Sequence, residues 1–333
     1  MKNLKYCLLA TGILLLSFSC KKETSIEPTV DEETDSTTTI ITDPTGTIEI
    51  ISGVEVGLGT FFTENLAAAT QHHSFDVSSG LYYGGAKGTY LSMPANNLKY
   101  SDGAMVTGMV DLALIEIDRR SEMVILNKAT TGMKPDGSHT ALTSNGEFYI
   151  RMSQDGEDLT LIDPLVVESY TFGFDPEMRK FVNTSETEDL LWEIAFDSIV
   201  GEGDELGSQF FLSGNDWGWI NLDKFADYPG LKTNIYAELP DGLNLATAEV
   251  YVAFDGEMTT LTQLNQWEDG KFAENYGTIP IGLEVHFIAI YSTGGQLHYN
   301  ITPATITENH VAIMSDFTEI EVDDLSTIID DLP

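Results

Sequence analysis

Leu283-Glu284-Val285-His286-Phe287-Ile288-Ala289-Ile290-Tyr291, then Gly294-Gly295, then Leu297-His298-Tyr299-Asn300-Ile301, reads as a β-hairpin. Both arms are rich in β-branched and aromatic residues. The Gly-Gly pair supplies the positive φ angles that a tight two-residue turn needs. A turn that sets Thr293 opposite Gln296 puts Tyr291 across from His298. Glu284 and His286, two apart, then share a strand face.

Working outward, the same signals recur. Asn145-Gly146, Asp155-Gly156, Asp241-Gly242 and Asp255-Gly256 break short apolar stretches. Phe148, Ile150 and Met152 alternate behind Asn145-Gly146, and Met105 to Glu116 interleaves apolar with small or acidic residues. Strands at this spacing, without long helical runs between them, predict an all-β chain of sandwich type. Two stretches admit helix. Leu66-Ala67-Ala68-Ala69 favours a short helical turn within 64–71. Residues 186–200 fit either period, and the β-rich surroundings favour strand, with Leu190, Trp192, Ile194, Phe196 and Val200 on one face. A boundary is expected at 201–207, where glycines and acids alternate. The expected organisation is two β-sandwich-like domains, 47–200 and 208–333.

The beginning of the chain differs in character. Lys2 and Lys5 precede an apolar run from Tyr6 to Phe18, which ends in Ser17-Phe18-Ser19-Cys20. The run is shorter than the roughly 20 residues a spanning helix needs. A basic start, a short apolar core, small residues and a cysteine form the layout of a lipoprotein signal covering 1–19, with Cys20 the lipidated residue. Cleavage there removes Cys7 and leaves Cys20 as the sole cysteine, so no disulfide and no cysteine nucleophile are expected. Acyl chains at about 0.8 kcal/mol per buried methylene then attach the protein to a membrane without a spanning helix. Residues 20–46, rich in Thr and acids with few apolar groups, read as a disordered tether.

The full chain has 333 residues, with 53 acidic groups against 16 basic and a net charge of −37. Such a balance argues against nucleic acid and against adsorption to anionic lipid, because both need basic patches. A hydrophobic content of 42% is that of a folded protein.

Chemistry is sparsely marked. His72 and His73 are adjacent and face opposite ways in a strand, which does not assemble the three or four ligands zinc requires. No Gly-x-Ser-x-Gly elbow and no phosphate-binding glycine loop occur. Oxygen-rich loops at Asp155-Gly156-Glu157-Asp158, 201–205 and Asp255-Gly256-Glu257 suit calcium best among ions. None has the twelve-residue helix–loop–helix spacing, so no metal and no cofactor are assigned. Trp217 and Trp219, alternating behind Asn215-Asp216, are the candidate ligand-stacking residues if exposed; buried, they are core, as Tyr82-Tyr83 would be. No catalytic residue stands out.

Two segments resemble a known group of proteins. Gly88-Thr89-Tyr90-Leu91-Ser92-Met93-Pro94-Ala95-Asn96, with Val106-Thr107-Gly108-Met109-Val110, Ile115-Glu116 and Gly146-Glu147-Phe148-Tyr149-Ile150, is similar to a ZU5-like β-sandwich region of uncharacterised envelope lipoproteins from Bacteroidetes-type bacteria. Gly218-Trp219-Ile220-Asn221-Leu222-Asp223-Lys224-Phe225, followed by Ile279-Pro280-Ile281-Gly282-Leu283, resembles their C-terminal half. The resemblance implies β-sandwich architecture, a structural or interaction role and no catalytic residues. It also implies an outer-membrane anchor, with acids soon after the lipidated cysteine favouring surface display over the periplasm; here Lys21 and Lys22 come before Glu23. The expected function is a non-catalytic binding or structural module of the cell envelope, with an envelope protein or polysaccharide as partner. A surface glycan-binding lipoprotein is the alternative, and a carboxylate-based hydrolase the third reading.

Overall fold

A computed structural model describes residues 38–42, 48–52, 57–170, 173–183, 191–203, 207–226 and 228–333. Cys20 and the signal segment lie outside the described residues, as does most of the expected tether. Within the tether's bounds, Thr38–Thr42 pairs as a strand with Ile48–Ser52.

The fold is all-β. Its hairpin has the register that a Gly294-Gly295 turn sets, with arms longer than the expected ones: Glu284–Thr293 and Gln296–Thr305 pair from Thr293 opposite Gln296 to Glu284 opposite Thr305. Gly294 and Gly295 turn the chain at φ 60° and 76°. Ala248–Phe254, Leu261–Gln263 and Thr318–Glu319 complete a five-stranded sheet around it. That sheet shares a core with a four-stranded one, in which Ile235 and Phe272 meet Val250, Val252 and Phe287. The hairpin's other face is covered as well: Ile288 and Ile290 pack with Ile115, Ile117 and Met123, and with Leu325 and Ile329 of the helix Val322–Asp330.

The earlier part of the chain forms a second pair of layers. A five-stranded sheet runs in the order Gly201–Glu202, Ser208–Leu212, Leu165–Ser169, Thr89–Met93, Leu81–Gly84. Its inward residues, including Leu91, Val167 and Phe210, pack against Leu112, Leu114, Phe148 and Ile150 of an eight-stranded sheet. The eight-stranded sheet closes on itself. The 16-residue strand His139–Gln154 bonds Thr131–Met133 on one edge and Gly218–Phe225 on the other. Arg179–Asn183 and Trp192–Ile199 complete the ring. Leu142, Phe181 and Trp192 form a small core of their own there.

Several sequence expectations shift here. The glycine and acid stretch at 201–207 does not separate the sheets: Ser208–Leu212 and Gly218–Phe225 both pair with strands from before residue 200. Asn145-Gly146 is no turn but the middle of the longest strand, where Gly146 takes φ 119°. Of residues 186–200, 191–200 are described, and Trp192–Ile199 is a strand. Phe196 is nonetheless fully exposed: Arg179 pairs with Ile199 and Phe181 with Ile194, and the bulge between them turns Phe196 outward while Ala195 stays buried. The short helical turn is a full helix, Gly59–Ala69. Among the described residues no helix is long and apolar enough to cross a membrane.

Candidate functional site

The five-stranded sheet of the earlier layer has one face in the core and one in solvent. Pairing places Tyr82 beside Ser92, Tyr90 beside Glu168, and Glu168 beside Gln209. Val166 lies beside Ser92 on one side and Phe211 on the other. These residues all sit on the outer face, since cross-strand partners share a face. Burial alternates accordingly: Leu91, Met93, Val167, Phe210 and Leu212 are enclosed, whereas Tyr82 is 79%, Tyr90 38% and Phe211 43% exposed.

On this outer face Tyr82 and Tyr90 lie with ring centroids 6.0 Å apart. Tyr170 meets Tyr90 edge-on at 5.6 Å. The Tyr170 hydroxyl donates to Glu168 Oε2 at 2.6 Å, and Gln209 Nε2 donates to Glu168 Oε1 at 2.6 Å. One carboxylate is thus held in place by two neighbours. The turn joining the two tyrosine strands is anchored from beneath. Buried Glu116 accepts from the amides of Lys87 and Thr89, both at 3.0 Å, and from Gln71 Nε2 at 2.8 Å.

The expected stacking pair is divided. Trp217 packs partly buried against the first core and donates its indole N–H to the Leu159 carbonyl. Trp219 packs on the other side, 5.4 Å from Tyr149 and beneath Lys128, whose ammonium lies 5.0 Å from its ring. Gly218, at φ 122°, separates them. Of Tyr82-Tyr83, only Tyr83 joins the core. The tyrosine face was not singled out from sequence, although the alternation Tyr90-Leu91-Ser92-Met93 carries the signal.

A second feature was not foreseen at all. Glu147 and Asp223, on adjacent strands of the ring, are both completely buried, and none of their four carboxylate oxygens has a hydrogen-bonding partner among the described residues. Burial pushes the Glu147 carboxyl well above its usual range. Asp223 adds to that shift and Lys128 opposes it. Burial likewise pushes Asp223 well up. The Ser144 hydroxyl donates to Asn221 Oδ1 at 2.8 Å. Both acids therefore tend to their neutral forms, and with no exposed surface neither meets a substrate in this conformation.

The remaining candidates fall into place individually. His286 pairs through Nδ1 with Asp255 Oδ1 at 2.7 Å, rather than with Glu284. Tyr291 and His298 stack across the hairpin at 4.7 Å. His73 stacks on Tyr83 while His72 is exposed on the opposite face. Asp158 of the first acidic loop is bound by Arg151 at 2.5 Å, and the 201–205 loop lies partly outside the described residues. Among the described residues no three His, Cys, Asp or Glu side chains converge as a metal site. A depression of about 450 Å³ separates the helix Gly59–Ala69 from the hairpin end, ringed by Glu64, Glu319 and Glu321.

Compared with known proteins, the chain matches no family model and no curated relative.

Proposed function

We propose that this chain is a lipid-anchored protein of the cell envelope that acts as a non-catalytic binding module, with the open face of its earlier five-stranded sheet as the contact surface. One observation carries the binding role: Tyr82 and Tyr90 lie exposed side by side on a sheet whose other face is packed into the core. Large aromatic side chains grouped on an open face are a feature of contact sites. The anchor rests on the sequence around Cys20, and outer-membrane surface display on the resemblance to envelope lipoproteins. A carboxylate hydrolase has less support, because the two most perturbed acids, Glu147 and Asp223, are enclosed.

Two variants test the reading. Cys20→Ser should move the protein from the membrane pellet to the soluble fraction and abolish fatty-acid labelling; membrane retention with label intact in the variant would refute the anchor. Tyr82→Ala with Tyr90→Ala should remove what the protein captures on surface-labelled intact cells. Capture identical to that of the unaltered protein would refute the contact face.

A further inference from the structure

Resting on that contact face, we infer that it binds a neutral polysaccharide chain, with Tyr82 and Tyr90 as stacking residues and Glu168 and Gln209 as hydroxyl acceptors and donors. A pyranose ring has an apolar C–H face and a rim of hydroxyls. Its binding partner needs an exposed ring to lie on and fixed polar atoms beside that ring. Tyr82 offers the ring: it is 79% exposed, and its neighbour Tyr90 is held by the edge-on contact with Tyr170. Glu168, the cross-strand partner of Tyr90, offers the polar atoms beside the Tyr90 ring. Each of its oxygens already accepts one hydrogen bond, from Tyr170 and from Gln209, which fixes the carboxylate's plane. A carboxylate oxygen has a further lone pair, so each can still accept from a sugar hydroxyl.

Among glycans, charge discriminates. The five strands of this sheet contain Glu168 and Glu202 and no lysine or arginine. With a chain charge of −37, an acidic glycan would be repelled and a neutral one admitted. Extent selects a polymer over a single sugar. From the Tyr82 strand to the Phe211 strand the face crosses three strand spacings, about 14 Å, which accommodates consecutive rings of a chain.

Native affinity electrophoresis of the full protein in detergent, with soluble β-glucan, amylopectin, galactomannan or polygalacturonate in the gel, tests this. The expected result is retardation by at least one of the three neutral polymers and none by polygalacturonate. Tyr82→Ala with Tyr90→Ala should weaken that retardation about tenfold, and Glu168→Ala should weaken it too. Unchanged melting of the tyrosine variant, whose altered side chains are exposed, shows that the fold is retained. The inference is overturned if no neutral polymer retards the protein, if only polygalacturonate does, or if retardation survives both sets of substitutions. Loss of cell-surface capture in the tyrosine variant, without any polysaccharide effect, would overturn the ligand class and leave the contact face standing.

Discussion

Glu147 and Asp223 stand on neighbouring strands of one closed ring, Glu147 opposite Asn221 and Asp223 opposite Ser144, with no water-exposed surface on either. Enclosure raises both above the values they have in an unfolded chain. The folded state then holds protons that the unfolded state releases, so their contribution is complete below about pH 4 and is lost as pH rises towards the raised values. Thermal stability should therefore fall from pH 5 to pH 8. Glu147→Gln with Asp223→Asn should flatten that slope. A double variant whose melting temperature declines as steeply as the parent's would refute the assignment.

Glu274 provides a narrower window. It is 2% exposed, and burial raises its carboxyl from 4.5 to about 7, against the pull of the Thr278 hydroxyl, which donates to it at 2.7 Å. Each pH unit separating the folded from the unfolded value is worth about 1.4 kcal/mol. The carboxyl thus contributes roughly 3 kcal/mol below pH 4.5 that is gone above pH 7. In Glu274→Gln, the difference in unfolding free energy between pH 5 and pH 7.5 should shrink by an amount of that order. No change in that difference, measured by urea titration at the two pH values, would count against it.

Trp192 is fully buried and donates its indole N–H to the Ala129 carbonyl at 3.0 Å. Trp192→Phe leaves that carbonyl unpaired inside the ring and opens a void beside Leu142 and Phe181. The expected cost is about 2–4 kcal/mol in chemical denaturation. A loss under about 0.5 kcal/mol would mean that the ring interior relaxes around the gap.

Gly85 lies over Glu116, and a methyl group there would come within 2.5 Å of the carboxylate oxygen and 2.8 Å of Leu114 Cδ2. Gly85→Ala must displace an acid already held by three donors, at about 1–3 kcal/mol. Glu116→Gln turns one acceptor into a donor facing amide N–H groups and should cost a similar amount. Because this turn joins the strands of Tyr82 and Tyr90, both variants should also weaken ligand capture by the tyrosine face. Full stability in both would show that the turn holds without its anchor.

The hairpin was readable to the residue, including Tyr291 opposite His298, because a two-residue glycine turn and a period of two together leave a single register. Two helices were not read. The later one had its signals: Asp323 and Asp324 in the first turn, with Leu325 and Ile329 four apart and both buried. Arg120–Ile125 has six residues, too few to show a period. Asn145-Gly146 misled because a turn dipeptide is a local preference: the two residues form a bulge between Ser144 and Glu147, and the paired segments on either side carry the strand through it. Glu147 was illegible for a related reason. An acid alternating with apolar residues normally marks the wet face of a strand, and sequence does not show that a further layer covers that face. The tyrosine face is the converse: Tyr82 and Tyr90 alternate with core residues, yet only the packed layers reveal which side stays open.

Ring closure also dictates an order of events. His139–Gln154 and Arg179–Asn183 each need Gly218–Phe225 to complete their hydrogen bonding. In a chain emerging N-terminus first, both strands must wait with unpaired edges until about 70 further residues beyond the long strand have appeared. Exposed edges recruit other chains, so this interval is when the nascent protein is most prone to aggregate. A product ending before residue 218 would retain those edges permanently, however complete its other sheets.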